Sequence, residues 1–553
     1  MSGDASQQLT GAAAQSGRTR SSGLGTVLVA AGIFLSRVAG LVRERAIAAY
    51  FGTALHADVL GAGLRLPNVL QNLLGEGTLS ASFIPVYSEL LGEGRTKEAG
   101  RVAGAMFGLL LAVAGAIALL GVLLAPVLVS IFLPGFEGER RVLMIAIVKI
   151  LFPMTGVLVL SAWALGILNS HRHFFLPYFA PVLWNAAIVA ALVGYGGRLD
   201  LDALLVAAAW GGLAGGLLQF GVQLPAVLRL DREIRLSRGR DLPAFREAVR
   251  NAGPAILGRG VVQLSSYVDL VLASLLAIGA VARLRYAQTL YVLPVSLFGA
   301  STAAAELPEL ARERAGTPEA LRARASAAVR RVSFFVVPSL VAFVALGDVL
   351  VAGLYRTGRF GAADVTAVWL TLSAYSVGLL ASTTTRVYQS TFFALRDTKT
   401  PARVAALRVA AAAVAGALLM LQFEPLTIAG HTFAAGYLAD VSARGIPLGP
   451  VGLALGAALG AWLEWTLLRL SLARRIGQCG AGAGPLTRMF VAALVAAVCG
   501  RALAWLSPWP PLPLALLAAS AYAAVYFVAA RALGLEEARA VLAAALRRAR
   551  GRS

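Results

Sequence analysis

The sequence predicts an all-α polytopic membrane protein with 14 transmembrane helices, and three observations carry the prediction. The 553 residues are 58% hydrophobic and 14% charged, with a mean hydropathy of +0.75, where a soluble chain carries about 25% charged residues. Apolar runs long enough to cross roughly 30 Å of hydrocarbon recur along nearly the whole length. The 58 glycines and the abundant alanines suit helices in lipid, where small residues let backbones approach closely.

Taken in order, the apolar runs place spans near 24–50, 56–90, 102–134, 142–168, 178–196, 201–228, 253–280, 284–309, 332–355, 364–392, 402–421, 449–473, 486–506 and 511–534. Residues 1–22, rich in Ser, Gly, Ala and Gln, read as a disordered tail. The apolar run after them ends in arginine rather than at a small-residue cleavage site, so it is not a cleaved signal. The net charge of +21 follows topology rather than nucleic acid. Alternate loops carry roughly 32 and roughly 9 Lys/Arg, which puts both termini in the cytoplasm. The richest loops are RLDREIRLSRGRDLPAFREAVR (229–250) and ARERAGTPEALRARASAAVRR (311–331). Cys479 and Cys499 form no disulfide framework or metal motif, and His56, His171, His173 and His431 are scattered.

The basic loop divides the spans into six before and eight after, and the two sides echo each other. LRLPNVLQNLLGEGTLSASFIPVYSEL (64–90) is similar to QTLYVLPVSLFGASTAAAELPEL (288–310), and WGGLAGGLLQFGVQLPAVLRL (210–230) to GLALGAALGAWLEWTLLRLSL (452–472). Each pair holds the second and sixth positions of its half, so the copies share one orientation and enclose a central path. The expected organisation is a first lobe at 23–230, a basic linker at 231–252, a second lobe at 253–475, an extra helix pair at 485–535 and a basic tail at 536–553. Gly40, Pro67, Pro85, Pro153, Pro254 and Pro294 are expected to interrupt spans, which lipid tolerates where backbone is buried or lines a cavity.

The chemistry lies in charges inside these spans. SRVAGLVRERAIAAYFG (36–52) puts Arg37, Arg43, Glu44 and Arg45 into the first. A central arginine costs roughly 2.5–3.5 kcal/mol on insertion scales, while each Leu or Ile returns about 0.3–0.6. Either the arginines snorkel to an interface, or they face a wet cavity and await an anion. Arg37 and Glu44 are seven apart and share a helix face. Asp58, Arg65, Gln71, Asn72 and Glu76 punctuate the next span, and a cluster across two spans favours the anion site. Guanidinium suits a diphosphate because its planar fork makes bidentate contacts.

The second half repeats the theme with Arg259, Gln263 and Asp269 on one span and Arg283 and Arg285 opening the next. Arg386 sits inside the tenth span, which Arg396 and Asp397 end. For Arg283, Arg285 and Arg396, helix ends and topology explain the charge equally well. No GxxxxGK[ST] loop, HExxH, CxxC pair or Ser/His/Asp arrangement occurs. A carrier driven by membrane potential or an ion gradient, rather than an enzyme, is expected, and no cofactor.

SRVAGLVRERAIAAYFGT, ADVLGAGLRLPNVLQNLLGEGTLSASFIPVYSE, LGILNSHRHFFLPYFAPVLWN, GPAILGRGVVQLSS, LYVLPVSLFG, LYRTGRF and TRVYQSTFFALRDTKTPARVA together resemble the MurJ (MviN) lipid II flippases of the MOP transporter superfamily. The resemblance runs from about residue 25 to 475. It implies the MOP fold, with two six-helix lobes in a V and two C-terminal helices beside a lipid-tail groove. It also implies alternating-access movement of the undecaprenyl-pyrophosphate-linked peptidoglycan precursor to the outer leaflet of the bacterial cytoplasmic (inner) membrane. Lipid II, membrane lipids and the cell-wall synthesis machinery are the implied partners.

On that resemblance Arg37 and Arg43 bind the pyrophosphate, Asp58 orients them or takes part in gating, and Glu76 pairs with arginine or sits at a gate. Glu44 and Asp269 are further gating or coupling candidates. The chain departs from the family where arginine is common: it has Gln71 and Asn72 after LPN, and Thr289 in AQTL. Arg65, Arg259 or Arg285 would then supply the missing charge. Some members hold sodium in the second lobe. Asp269 matches one ligand, but RVAALRVAAAAVAG is short of side-chain oxygens, so no metal is expected. The rivals are another MOP carrier, exporting lipid-linked polysaccharide units or cationic drugs, and a non-transporting scaffold of cell-wall assembly.

Overall fold

The computed structural model describes residues 29, 31–237, 239, 241–313, 317–428, 431–433, 446–541 and 543. The expected tail at 1–22 lies outside them, as do 542 and 544–553 of the tail expected at 536–553. The chain divides into two compact units. The first comprises Met1–Tyr50, Val59–Phe132 and Phe136–Tyr267, and the second Phe51–Asp58, Leu133–Gly135 and Val268–Ser553.

The first unit holds α1 (residues 31–51, whose last residue passes to the second unit), α2 (Leu55–Leu74), α3 (Glu76–Gly92), α4 (Thr96–Leu123) and α5 (Ala125–Phe132). It continues with α6 (Gly138–Ser170), α7 (Phe175–Tyr195) and α8 (Leu201–Leu230), and α9 (Pro243–Ser274) runs out of it at Tyr267. Its core gathers α3, α4 and α6 around Trp163, whose indole donates to the Ala103 carbonyl at 3.1 Å. Small residues seat α8 against α7: a Cβ on Gly215 would lie 2.8 Å from the Trp184 carbonyl oxygen. That spacing fixes the height of Trp184, which matters below.

The second unit holds α10 (Ala280–Pro294), a π-helical segment (Val295–Ala300), α11 (Ser301–Glu313), α12 (Pro318–Ala345) and α13 (Gly347–Tyr355). There follow α14 (Ala362–Val377), α15 (Leu379–Ala394), α16 (Lys399–Phe423), α17 (Gly449–Ile476), α18 (Ala483–Leu506) and α19 (Pro511–Ala532). Between α16 and α17 lies a feature that hydropathy does not anticipate, an antiparallel pair β1 (Leu426–Ile428) and β2 (His431–Phe433). It is in register Leu426↔Phe433 and Ile428↔His431, and its β-branched Thr and Ile residues favour extended backbone.

Ten helices are long and apolar enough to cross a membrane, eleven with the bent pair α14–α15 taken as one. These match eleven of the fourteen expected spans. The remaining three, 24–50, 56–90 and 253–280, also fall on helices, and each includes positions whose side chains lie outside the described residues.

The expected interruptions are fewer than the prolines suggested. Pro67, Pro85 and Pro153 lie inside continuous helices, as does Gly40. The backbone at Pro254 is also helical, within α9. Pro294 alone of that set coincides with a change of helix type, into the π segment. Proline is tolerated because a neighbour satisfies the carbonyl it frees. Pro338 in α12 leaves the Phe334 carbonyl four residues back without its amide, and the Tyr526 hydroxyl of α19 donates to it at 2.6 Å. Breaks fall instead at Gly75, Leu124, Leu346 and Gly378. At Gly378 the chain bends 40°, and the Trp462 indole donates to the adjacent Val377 carbonyl at 2.9 Å.

Candidate functional site

In the first unit the site is built on α1 and α7. Arg43 lies on α1 with its side chain 16% exposed and donates from Nη2 to Glu44 Oε1 at 2.8 Å. Its guanidinium carbon stands 4.8 Å from the centroid of the Trp184 ring, a cation–π contact that offsets desolvation. Trp184 is held by its own indole, 3.3 Å from Met154 Sδ, and by the glycine contact from α8. Arg43 Nε is buried with no acceptor among the described residues. A guanidinium has five N–H donors, so this one keeps capacity for an incoming anion. Arg37 is exposed less than two turns away on the same helix and has no ion pair among the described residues. Arg45 is half-buried.

Arg65 is half-buried on α2, where Tyr267 donates to the Leu66 carbonyl at 3.0 Å. The side chains of Gln71, Asn72, Glu76, Arg259 and Gln263 lie outside the described residues.

In the second unit, the short segment Phe51–Asp58 is packed against α10. Asp58 is fully buried. Its Oδ2 accepts from the Gly279 amide and its Oδ1 from the Ala282 amide, each at 2.7 Å. Gly279 precedes α10 with φ +95°, a conformation that favours glycine. The Tyr286 hydroxyl donates to the Gly52 carbonyl at 3.0 Å, and Thr53 donates to Asp364. The Asp58 carboxylate therefore serves first as a cap on the amides that open α10. Arg283 lies within electrostatic reach of Asp58, Asp364 and Glu424 and donates to the Pro447 carbonyl at 3.1 Å. Arg285 is half-buried, its guanidinium carbon 5.0 Å from the Tyr286 ring centroid. Asp269 is half-buried on α9. Thr289 turns its hydroxyl back to the Arg285 carbonyl at 2.9 Å.

The structure pairs Glu44 with Arg43 rather than with Arg37, the residue expected on its face, and gives Asp58 a partner that no residue pattern disclosed. Sequence reasoning missed two networks. One is the ion pair of Arg408 with Glu464. Its signal was present, since both residues sit inside apolar runs and Glu464 continues the Gly452, Gly456, Gly460 spacing along α17. The other joins Tyr87, His171 and Asp231 across three loops or helices and had no signal.

Ten or eleven helices long and apolar enough to cross a membrane, with guanidiniums set among them, define a multi-pass membrane protein. The family model described as "Lipid II flippase MurJ" matches residues 47–439, and the chain belongs to that family of transporters. The lipid II flippase MurJ of Burkholderia cenocepacia is 31% identical over 449 residues, covering 80% of this chain and 82% of its own. A probable lipid II flippase MurJ of Rhizobium tropici is 31% identical over 446 residues, covering 80% and 79%. Among solved structures, a lipid II flippase MurJ in an inward closed conformation superposes with a TM-score of 0.71 at 21% identity, covering 91% of this chain and 98% of that one. An inward-facing multidrug resistance MATE family transporter of the MOP superfamily gives 0.62 at 16% identity, covering 79% and 95%. The fold is the multi-pass, all-helical MOP fold.

Proposed function

We propose that this protein is a flippase that moves lipid II from the inner to the outer leaflet of the bacterial inner membrane by alternating access. Both termini would lie in the cytoplasm, with membrane potential or an ion gradient as the drive. One charge moved through the potential is worth about 2.3 kcal/mol per 100 mV, enough to bias a carrier cycle. The observation that carries the reading is Arg43, part-buried on α1 and stacked on Trp184 with donors to spare. Lipid II joins its headgroup to the polyprenyl tail through a diphosphate, which matches the guanidinium fork.

Arg37 and Arg43 are assigned to the diphosphate, with Arg65, Arg259 and Arg285 as further contacts. Glu44 holds Arg43 in place. Asp58 acts in gating by its hold on α10, and Glu76 and Asp269 are assigned to gating or coupling. The pair α18 and α19, within 485–535, is assigned to the lipid tail, and the cell-wall synthesis machinery would receive the product. The same fold serves drug export in the MATE relative, so fold does not choose the cargo. Arginines do, because they repel cationic drugs.

The test is Arg37→Ala or Arg43→Ala in cells depleted of their own flippase. Loss of rescue with normal insertion supports the reading, and full rescue of growth by either variant rejects its assigned role. Translocation of lipid II by the purified protein in liposomes, with and without an imposed potential, checks the activity directly.

A further inference from the structure

In the second unit an exposed guanidinium, Arg386, lies within the apolar helix α15. Residues Ala381–Thr385, Val387 and Tyr388 of α15 are all buried, whereas Arg386, between them, is exposed. A lipid-facing helix exposes a continuous stripe, as α16 does, where three residues of twenty-five are buried. The open face of α15 carries Arg386 and Phe393, seven residues apart, with Gln389 half-buried between them, so a guanidinium sits on an otherwise enclosed helix.

The surroundings are polar from several elements. Four residues before Arg386, the Ser382 hydroxyl meets Tyr291 of α10 at 2.7 Å. One turn before Tyr291, Gln288 donates to the Tyr375 hydroxyl of α14 at 2.8 Å. The Arg386 side chain passes over Gly299 of the π-helical segment: a Cβ there would lie 3.2 Å from Arg386 Cδ. Short π segments inside α-helices are frequent at functional sites. Arg386 is within electrostatic reach of Arg408 and Glu464. Glu464 is 1% exposed, and its oxygens are both engaged, by Arg408 Nη1 at 2.8 Å and Gln389 Nε2 at 2.9 Å. Two guanidiniums therefore stand beside one carboxylate that is already committed to Arg408. Arg386 has no ion pair among the described residues, and one positive charge is left over. Ionisable side chains within membrane spans mark substrate paths when they face a wet hollow.

We propose that Arg386 anchors a second oxyanion site, contained within the second unit, that takes an acidic group of the translocated headgroup. The identity of the cargo rests on the flippase reading above; the anion site does not. Phosphate and carboxylate oxygens share the chemistry, and both occur on a diphosphate-linked peptidoglycan precursor. Ser382, Tyr291 and Gln288 supply neutral polar lining, and the Arg408–Glu464 pair keeps the second arginine from competing for the anion.

The test measures binding to the purified full-length protein in nanodiscs for three lipids: lipid II, lipid II with its peptide carboxylates amidated, and undecaprenyl diphosphate. Arg386→Gln should weaken lipid II binding at least tenfold, with an unchanged melting temperature of the unliganded protein, and Arg386→Lys should recover part of the loss. A loss that persists with undecaprenyl diphosphate assigns the site to phosphate, and one confined to the lipid with free carboxylates assigns it to the peptide. Equal binding of all three lipids by Arg386→Gln and wild type overturns the proposal. If wild type binds none of them, the flippase reading fails, and inorganic pyrophosphate then decides the site. In an Arg37→Gln, Arg43→Gln background, pyrophosphate should raise the melting temperature only while Arg386 is present; a rise that survives Arg386→Gln overturns the proposal.

Discussion

Asp58 accepts a hydrogen bond from the Gly279 amide at 2.7 Å, across 221 residues of sequence. With its other oxygen on the Ala282 amide, the buried carboxylate meets the positive end of the α10 dipole. Replacing it with alanine leaves two buried amides without acceptors. Asp58→Ala should cost about 2–4 kcal/mol and Asp58→Asn less, because the amide side chain keeps one acceptor oxygen. Thermal unfolding in detergent measures both, and an alanine variant that melts with wild type would remove the capping role.

Arg43 and Trp184 form the next testable pair. Lysine keeps the charge but loses the planar fork and stacks less well on indole. Arg43→Lys should therefore reduce lipid II translocation at least tenfold in liposomes, and Trp184→Leu several-fold, with insertion unchanged in both. Wild-type rates from Arg43→Lys would mean that charge alone matters and that the fork does not.

The pair of Arg408 with Glu464 follows from the glycine spacing of α17. A Cβ on Gly456 would lie 2.3 Å from the Gly416 nitrogen, and one on Gly460 3.0 Å from the Arg408 carbonyl oxygen, so α16 and α17 meet backbone to backbone. The next residue on that face is Glu464. Removing one member leaves a buried charge, a loss of about 3–5 kcal/mol, whereas replacing both with apolar residues is far milder. Arg408→Met should lower the melting point sharply, and Arg408→Met with Glu464→Leu should restore most of it. A double variant as unstable as the single one would contradict this account.

His171 gives a pH dependence. Tyr87 donates to Asp231 at 3.0 Å and lies 2.9 Å from His171 Nε2, so Nε2 carries the hydrogen and donates to Tyr87. Burial lowers the His171 pKa first; Asp231 raises it and His173 lowers it further. The unfolded chain then takes up the proton more readily, so stability falls as pH drops through about 6.5. Melting curves between pH 8 and pH 5 should show that fall, and His171→Gln should flatten it. A slope unchanged by the substitution would assign the dependence to another group.

Eleven spans were legible in the sequence, because apolar length is a local property, whereas Glu44 was placed on the face of Arg37 and pairs instead with its neighbour Arg43. The spans 24–50, 56–90 and 253–280 fall on helices as expected, although arginines and carboxylates interrupt their apolar runs. Pro67, Pro85 and Pro153 were misread as breaks, because a donor from elsewhere can satisfy the carbonyl that a proline frees, as Tyr526 does behind Pro338. The β1–β2 pair went unseen because three-residue strands leave no periodicity to read.

Composition by itself determined that the chain is a membrane bundle with charged residues set into its spans, since hydropathy and residue type need no partner to have meaning. Which guanidinium has what neighbour was decided by tertiary structure alone. Trp184 reaches Arg43 because Gly215 lets α7 and α8 close, Asp58 finds Gly279 because Phe51–Asp58 folds into the second unit, and Glu464 meets Arg408 because Gly456 and Gly460 let α16 and α17 close. Contacts between residues hundreds of positions apart depend on backbone approach at ångström scale, and no periodicity in the chain encodes that.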